Sequence, residues 1–157
     1  MSKLDEVLNK VQRILVKNYN NVTLNKEGDG FFLNNGSTRI SIICFGGYVN
    51  PDSGEDDGVI VEVSAHIADD LDPSPELYKE VATSVMGRGY GCTLRMWPYD
   101  NETKYVVVLE SRILGNFLDE AELTAAVDYA GLSADDEDDG FAARHGGKVW
   151  NPDGNRN

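Results

Sequence analysis

The chain has little with which to do chemistry. Its 157 residues include only two histidines and two cysteines. Cys44 and Cys92 form no CxxC pair, and no further ligand follows either at metal-binding spacing. Both fall at expected core positions of strands, which predicts buried, reduced thiols. No apolar run approaches the roughly 20 residues of a membrane span. Met1-Ser2-Lys3-Leu4-Asp5 carries no apolar core of a signal peptide, so a cytoplasmic protein is expected. The sequons at Asn21, Asn35 and Asn101 are then chance matches. Basic residues are scarce: 14 against 27 acidic, a net charge of −13. Such a chain repels phosphate backbones and anionic lipid, which argues against nucleic acid and membrane as partners. A basic peptide is electrostatically favoured, although acidity alone also serves solubility.

What is present reads as one globular domain over residues 1–148, with a flexible tail over 149–157. Leu4, Val7, Leu8, Val11, Ile14 and Leu15 recur at helical spacing, so residues 3–19 form an amphipathic helix, with Ser2 and Asp5 as its capping pair. Short strands follow at Val22–Leu24, Phe31–Leu33 and Thr38–Phe45, the last two joined by the hairpin signal Asn34-Asn35-Gly36. Val49–Gly58 is a polar loop, and Val59–Ile67 alternates with period two. Ser74-Pro75-Glu76 opens a second helix whose apolar face is Leu77, Tyr78, Val81, Val85 and Met86, ended by Gly87, Gly89 and Gly91. Cys92–Tyr99 and Thr103–Ser111 pair about Asp100-Asn101-Glu102. Asp119, Glu122 and the Leu118/Leu123 staple open a third helix. Gly131 breaks that helix, and Ser133 restarts it through Asp135–Asp139 up to Gly146-Gly147. Hairpins dominate, so the class is α+β with a mainly antiparallel sheet.

The motifs that suggest chemistry fail on spacing or order. An EF-hand reading of Asp135–Gly140 needs Glu where Gly146 stands, and the acidic run instead suits the first turn of a helix. The Asp52–Asp57 loop lacks ligand spacing and offers at most weak cation binding. Gly87-Arg88-Gly89-Tyr90-Gly91 follows a helix and precedes a strand, the reverse of a dinucleotide site. Gly46-Gly47 runs into loop. His66 and His145 belong to no HExxH or nucleophile-elbow pattern. No catalytic residue, metal ligand or cofactor is therefore assigned.

Surface remains. With Ile42, Cys44, Val61, Val63, Leu94 and Met96 facing the helices, alternation sends Ile43, Phe45, Ile60, Trp97 and Tyr99 to the other side. Val106 and Val108 join them, or Tyr105 and Val107 in the alternative register. An apolar face of that size marks an interface unless the chain itself covers it. The candidate partner-binding residues are Ile43, Phe45, Ile60, Trp97, Tyr99, Val106 and Val108.

Gly58–Ala68, Asp69–Leu77 through Pro73-Ser74-Pro75, Ile113–Leu123, and Ala134–Glu137 with Gly146-Gly147 together resemble the YbjN / type III secretion chaperone-like family, in particular actinobacterial YbjN-like proteins. The resemblance spans residues 3–148. It implies a curved antiparallel sheet with helices packed on one face, frequent homodimers, and a non-enzymatic role in holding a polypeptide client. A sensory-transduction regulator with a folded partner is the alternative it leaves open. A small-ligand-binding protein or enzyme using His66, His145 and nearby carboxylates is the competitor from another class.

Overall fold

The computed structural model describes residues 1–49, 51–55, 57–86, 91–99 and 103–150. The first helix, α1 (Lys3–Asn18), buries Val7, Val11, Ile14 and Leu15 on one face. Its capping box is complete: Asp5 N–H donates to Ser2 Oγ at 3.1 Å, and Ser2 N–H donates to the Asp5 carboxylate at 2.9 Å. Four strands follow, β1 (Thr23–Leu24), β2 (Gly30–Asn35), β3 (Thr38–Tyr48) and β4 (Gly58–Leu71). Then come α2 (Pro75–Thr83), β5 (Thr93–Tyr99), β6 (Lys104–Leu114), a 3-10 turn (Gly115–Phe117) and α3 (Glu120–His145). Among the described residues the strands form one sheet in the order β1-β2-β3-β4-β6-β5, each pair antiparallel.

The core lies between one face of this sheet and the helices. Ile42, Cys44, Val61, Val63, Leu94 and Leu109 meet Leu15 of α1, Leu77 of α2, and Val127 and Phe141 of α3 in one buried cluster. Met96, expected with them, is half-buried against the same cluster. Cys44 and Cys92 are buried free thiols, and burial pushes the Cys44 pKa up to about 12.

Several expected boundaries move, each for a local reason. The hairpin turn is Gly36-Ser37, because Asn35 pairs with Thr38 and Gly36 alone supplies the positive φ of 62°. The strand expected to end at Ile67 continues to Leu71. An extra residue between His66 and Ala68 bulges β4, so the consecutive Ile67 and Ala68 are both buried. Helix α2 stops at Thr83, short of its expected apolar face. The Ser84 hydroxyl accepts from Met86 N–H at 3.1 Å, a local turn that competes with the next helical bond. Val85, expected to pack, is 66% exposed, and Tyr78 is also exposed. The Gly87–Gly91 turn, apart from Gly91, and the Asp100–Glu102 turn lie outside the described residues.

The largest correction concerns α3, which runs unbroken through Gly131. That glycine is buried against β2 and β3: a Cβ on it would lie 2.7 Å from Asn35 Nδ2 and 2.9 Å from both Asn35 Cβ and Ile40 Cδ1. Glycine there permits close helix–sheet approach and does not break the helix. The acidic residues after Ser133 are consequently mid-helix and do not form a first turn. Asp135 reaches back to the hairpin, accepting from Ser37 N–H at 3.0 Å and from the Ser37 hydroxyl.

Asp138 faces inward beside Phe141 and is 4% exposed. Burial pushes its carboxyl up to about 6, and neighbouring Asp139 and Asp135 add to the effect. A carboxyl whose folded pKa is raised holds its proton longer in the folded state, so stability rises as pH falls through 6 toward 4. Asp138→Asn is therefore expected to stabilise the protein at pH 7 by about 1–3 kcal/mol, from about 1.4 kcal/mol per unit of pKa. The gain should shrink steadily below pH 6, which paired thermal melts across that range would read.

Candidate functional site

Alternation along β3, β4, β6 and β5 sends every second side chain away from the helices. The strand registers set those outward residues in rows. Phe45, Ile60 and Leu114 form the first row, and Ile43, Glu62 and Arg112 the second. Ser41, Ser64, Glu110 and Thr93 form the third, and His66, Val108 and Arg95 the fourth. Val106 beside Trp97, then Lys104 beside Tyr99, complete the face.

This arrangement resolves the open register: Val106 and Val108 face outward, while Val107 is buried and Tyr105 packs on the core. All seven candidate residues thus share one face, but not one patch. Phe45 and Ile60 sit at one end with Leu114. Trp97, Val106 and Val108 sit toward the other, with Ile43 between. Trp97 is 41% exposed, whereas Val108 is buried even on this side. Tyr99 lies at the far end, where its hydroxyl accepts from Asp70 N–H at 2.6 Å.

A polar belt divides the two apolar ends. Arg112 contacts Glu62 at 3.0 Å and Glu110 at 3.0 Å, and Arg95 lies 3.8 Å from Glu110. Glu110 is 5% exposed; burial, then Glu62, raise its pKa while the two arginines oppose the rise. With Arg39 also on this face, the central charges are three arginines against two glutamates. The centre of the face is thus close to charge balance, although the whole chain carries −13.

Next to the belt is a shallow depression of about 260 Å³. Ser41, Ser64 and His66 lie at its centre, Trp97, Val106 and Val108 toward β5, and Arg39 and Ile43 toward β2. It is apolar on one flank and lined by hydrogen-bonding groups on the other, a composition that suits a segment of polypeptide. Phe45, Ile60 and Tyr99 do not line it. The sequence reading missed Arg39, Ser41 and Ser64. Their signal was available, since each alternates with a buried residue on β3 or β4, but attention to apolar residues alone passes over it.

The segment that follows α3 packs beside this face. Val149 and Trp150, expected in a loose tail, are half-buried. Lys148 pairs with Asp69 through two backbone hydrogen bonds of 2.8 Å. The Arg39 guanidinium then lies 4.8 Å from the Trp150 ring centroid and 4.0 Å from that of Phe32. Residues 151–157 lie outside the described residues.

The two histidines do not meet. His66 Nε2 is 3.5 Å from Asp69 Oδ2 on the outer face. His145 packs on Phe141 on the helix side, with Nε2 2.7 Å from Glu80 Oε2, and Arg144 binds the same carboxylate at 2.7 Å. Arg144 and then His145 hold Glu80 below the usual carboxylate range. That triple contact ties α2 to α3. The acidic run at Asp135–Gly140 lies in helix, where its backbone cannot wrap a cation as a loop does. The Asp52–Asp57 run includes Asp56, outside the described residues. Among the described residues no helix is long and apolar enough to cross a membrane.

No protein-family model matches the chain, and no curated protein matches it in sequence. Among solved structures it is similar to a chain in the crystal structure of the ExsC–ExsE complex. The TM-score is 0.59 at 10% identity, covering 88% of this chain and 96% of that one. The likeness is one of fold: the α+β, type III secretion chaperone-like architecture expected from the sequence is the one the chain adopts.

Proposed function

We propose that this protein is a non-enzymatic chaperone or adaptor that holds a partner polypeptide on the outer face of its sheet. The observation that carries the reading is the partly exposed Trp97 standing over a groove on a sheet face that the helices leave uncovered. Exposed tryptophan beside a depression is the usual form of an interface anchor. The structural neighbour is one component of a complex between two proteins, which supports the reading at the level of architecture. The resemblance to YbjN-like proteins points the same way. It adds a homodimer, with self-association on this face as the competing use of the same residues. The balanced charge of the groove removes the preference for a basic client that the whole-chain charge suggests.

Photo-crosslinking from two positions tests this. A benzophenone side chain replacing Val106 should give protein adducts in native cells. The same group replacing Leu132, exposed on α3, should give few. Mass spectrometry of the adduct separates a client segment, a folded partner and a second copy. Adducts at Leu132 alone would move the interface to the helix side.

A further inference from the structure

We propose that Gly146–Trp150 is a detachable strap, latched by Trp150 on Arg39, which closes one end of the outer-face groove and yields to an aromatic side chain of the partner. This rests on the preceding reading of that groove as the partner site.

Four observations converge. First, the strap is hinged. Gly146 ends α3 with a φ of +74°, a conformation nearly free for glycine, and the chain leaves the helix there to pair Lys148 with Asp69. Second, the attachment is thin. Among the described residues beyond α3, its polar attachment is one isolated bridge to Asp69 and a 2.7 Å ion pair from Lys148 to Asp70 between partly exposed side chains, with half-buried Val149 packed on the core and Trp150 stacked on Arg39. Third, the latch residue belongs to the groove. Arg39 lines both the 260 Å³ depression and a second one of about 430 Å³ on the side of β2, and Trp150 lines only the second. Lifting Trp150 frees one face of a guanidinium still backed by Phe32 at 4.0 Å. A guanidinium stacked on one aromatic ring accepts a second ring on its opposite face, whatever its in-plane partners. Fourth, Trp150 Nε1 is buried without a hydrogen-bond partner among the described residues. The docked state therefore leaves one donor unsatisfied, which favours exchange of this ring for another.

The docked geometry also supplies a specific way to open it. A Cβ on Gly147 would collide with Leu71 Cδ2 and lie 2.8 Å from the Asp69 carbonyl oxygen. Gly147→Ala should thus undock the strap while leaving every groove residue in place. Trp97→Phe leaves Trp150 as the single indole of the chain, so its exposure can be read by acrylamide quenching. Anilinonaphthalene sulfonate, an aromatic anion matched to Arg39, serves as the groove probe.

In the 157-residue chain, Gly147→Ala in the Trp97→Phe background should raise Trp150 quenching severalfold. In the otherwise unaltered chain it should tighten dye binding about tenfold if the strap is closed in roughly nine molecules of ten. Trp150→Ala should tighten dye binding similarly, and it decides the matter if Gly147→Ala lowers the thermal transition. Unchanged dye affinity with Trp150→Ala would overturn the strap. So would quenching of Trp150 that is already complete in the Gly147 protein. Dye binding that rises on undocking but ignores Trp97→Ala would keep the strap and instead defeat the assignment of the groove to Trp97.

Discussion

Replacing Gly131 with valine is expected to destabilise the protein by about 3 kcal/mol, enough to remove a large part of the stability of a domain this size. The position is buried at the crossing of α3 over β2 and β3, where even a methyl carbon would sit 2.7–2.9 Å from Asn35 and Ile40. The Ile40 terminus can rotate away, but the Asn35 Cβ moves only with its strand. Asn35 is also the residue that pairs with Thr38 to close the hairpin. A β-branched side chain adds a second clash and loses rotamer freedom against the preceding helical turn. Had Gly131 been a helix-breaking loop residue, valine would be nearly neutral and alanine mildly stabilising. Urea denaturation with unchanged m-value and a lowered midpoint would confirm the packing role.

Trp97→Ala is expected to weaken the partner complex by about 30-fold or more, the effect of losing an interface hot spot of some 2 kcal/mol. The fold should tolerate the change, because Trp97 is 41% exposed on the edge strand β5 and lies outside the buried cluster. Phe45→Ala separates two versions of the interface. Phe45 lies on the far side of the Glu62–Arg112–Glu110 belt. A partner confined to the groove should lose little by that change, whereas one spanning the whole face should lose as much again. Titration calorimetry with both single variants and the double variant gives the coupling directly, and additivity is expected across that separation.

The helix starts and the sidedness of the strands were legible because they depend on neighbours within a few residues. Ser2 with Asp5, Ser74 with Pro75, and Asp119 with Glu122 cap the helices as the pattern implies. Period-two alternation placed Ile43, Phe45, Ile60 and Trp97 opposite Ile42, Cys44 and Val61. Lateral register is a different kind of information. Whether Glu62 falls beside Arg112 or beside an apolar residue depends on pairing between strands some 50 residues apart. That pairing turned one expected apolar face into two patches and a groove. Gly131 shows the same gap, since a glycine that breaks a helix and one that admits a neighbour look alike until the neighbour is placed. Trp150 looked like tail because its stacking partner, Arg39, is over a hundred residues away.

The central claim, that the outer sheet face docks a protein, is tested most directly by hydroxyl-radical footprinting of the free and partner-bound protein. Oxidation of Trp97 should fall sharply on binding, while Tyr78 on α2 and Leu132 on α3 stay unchanged. Protection of Tyr78 and Leu132 with Trp97 as reactive as before would place the partner on the helix side and contradict the account.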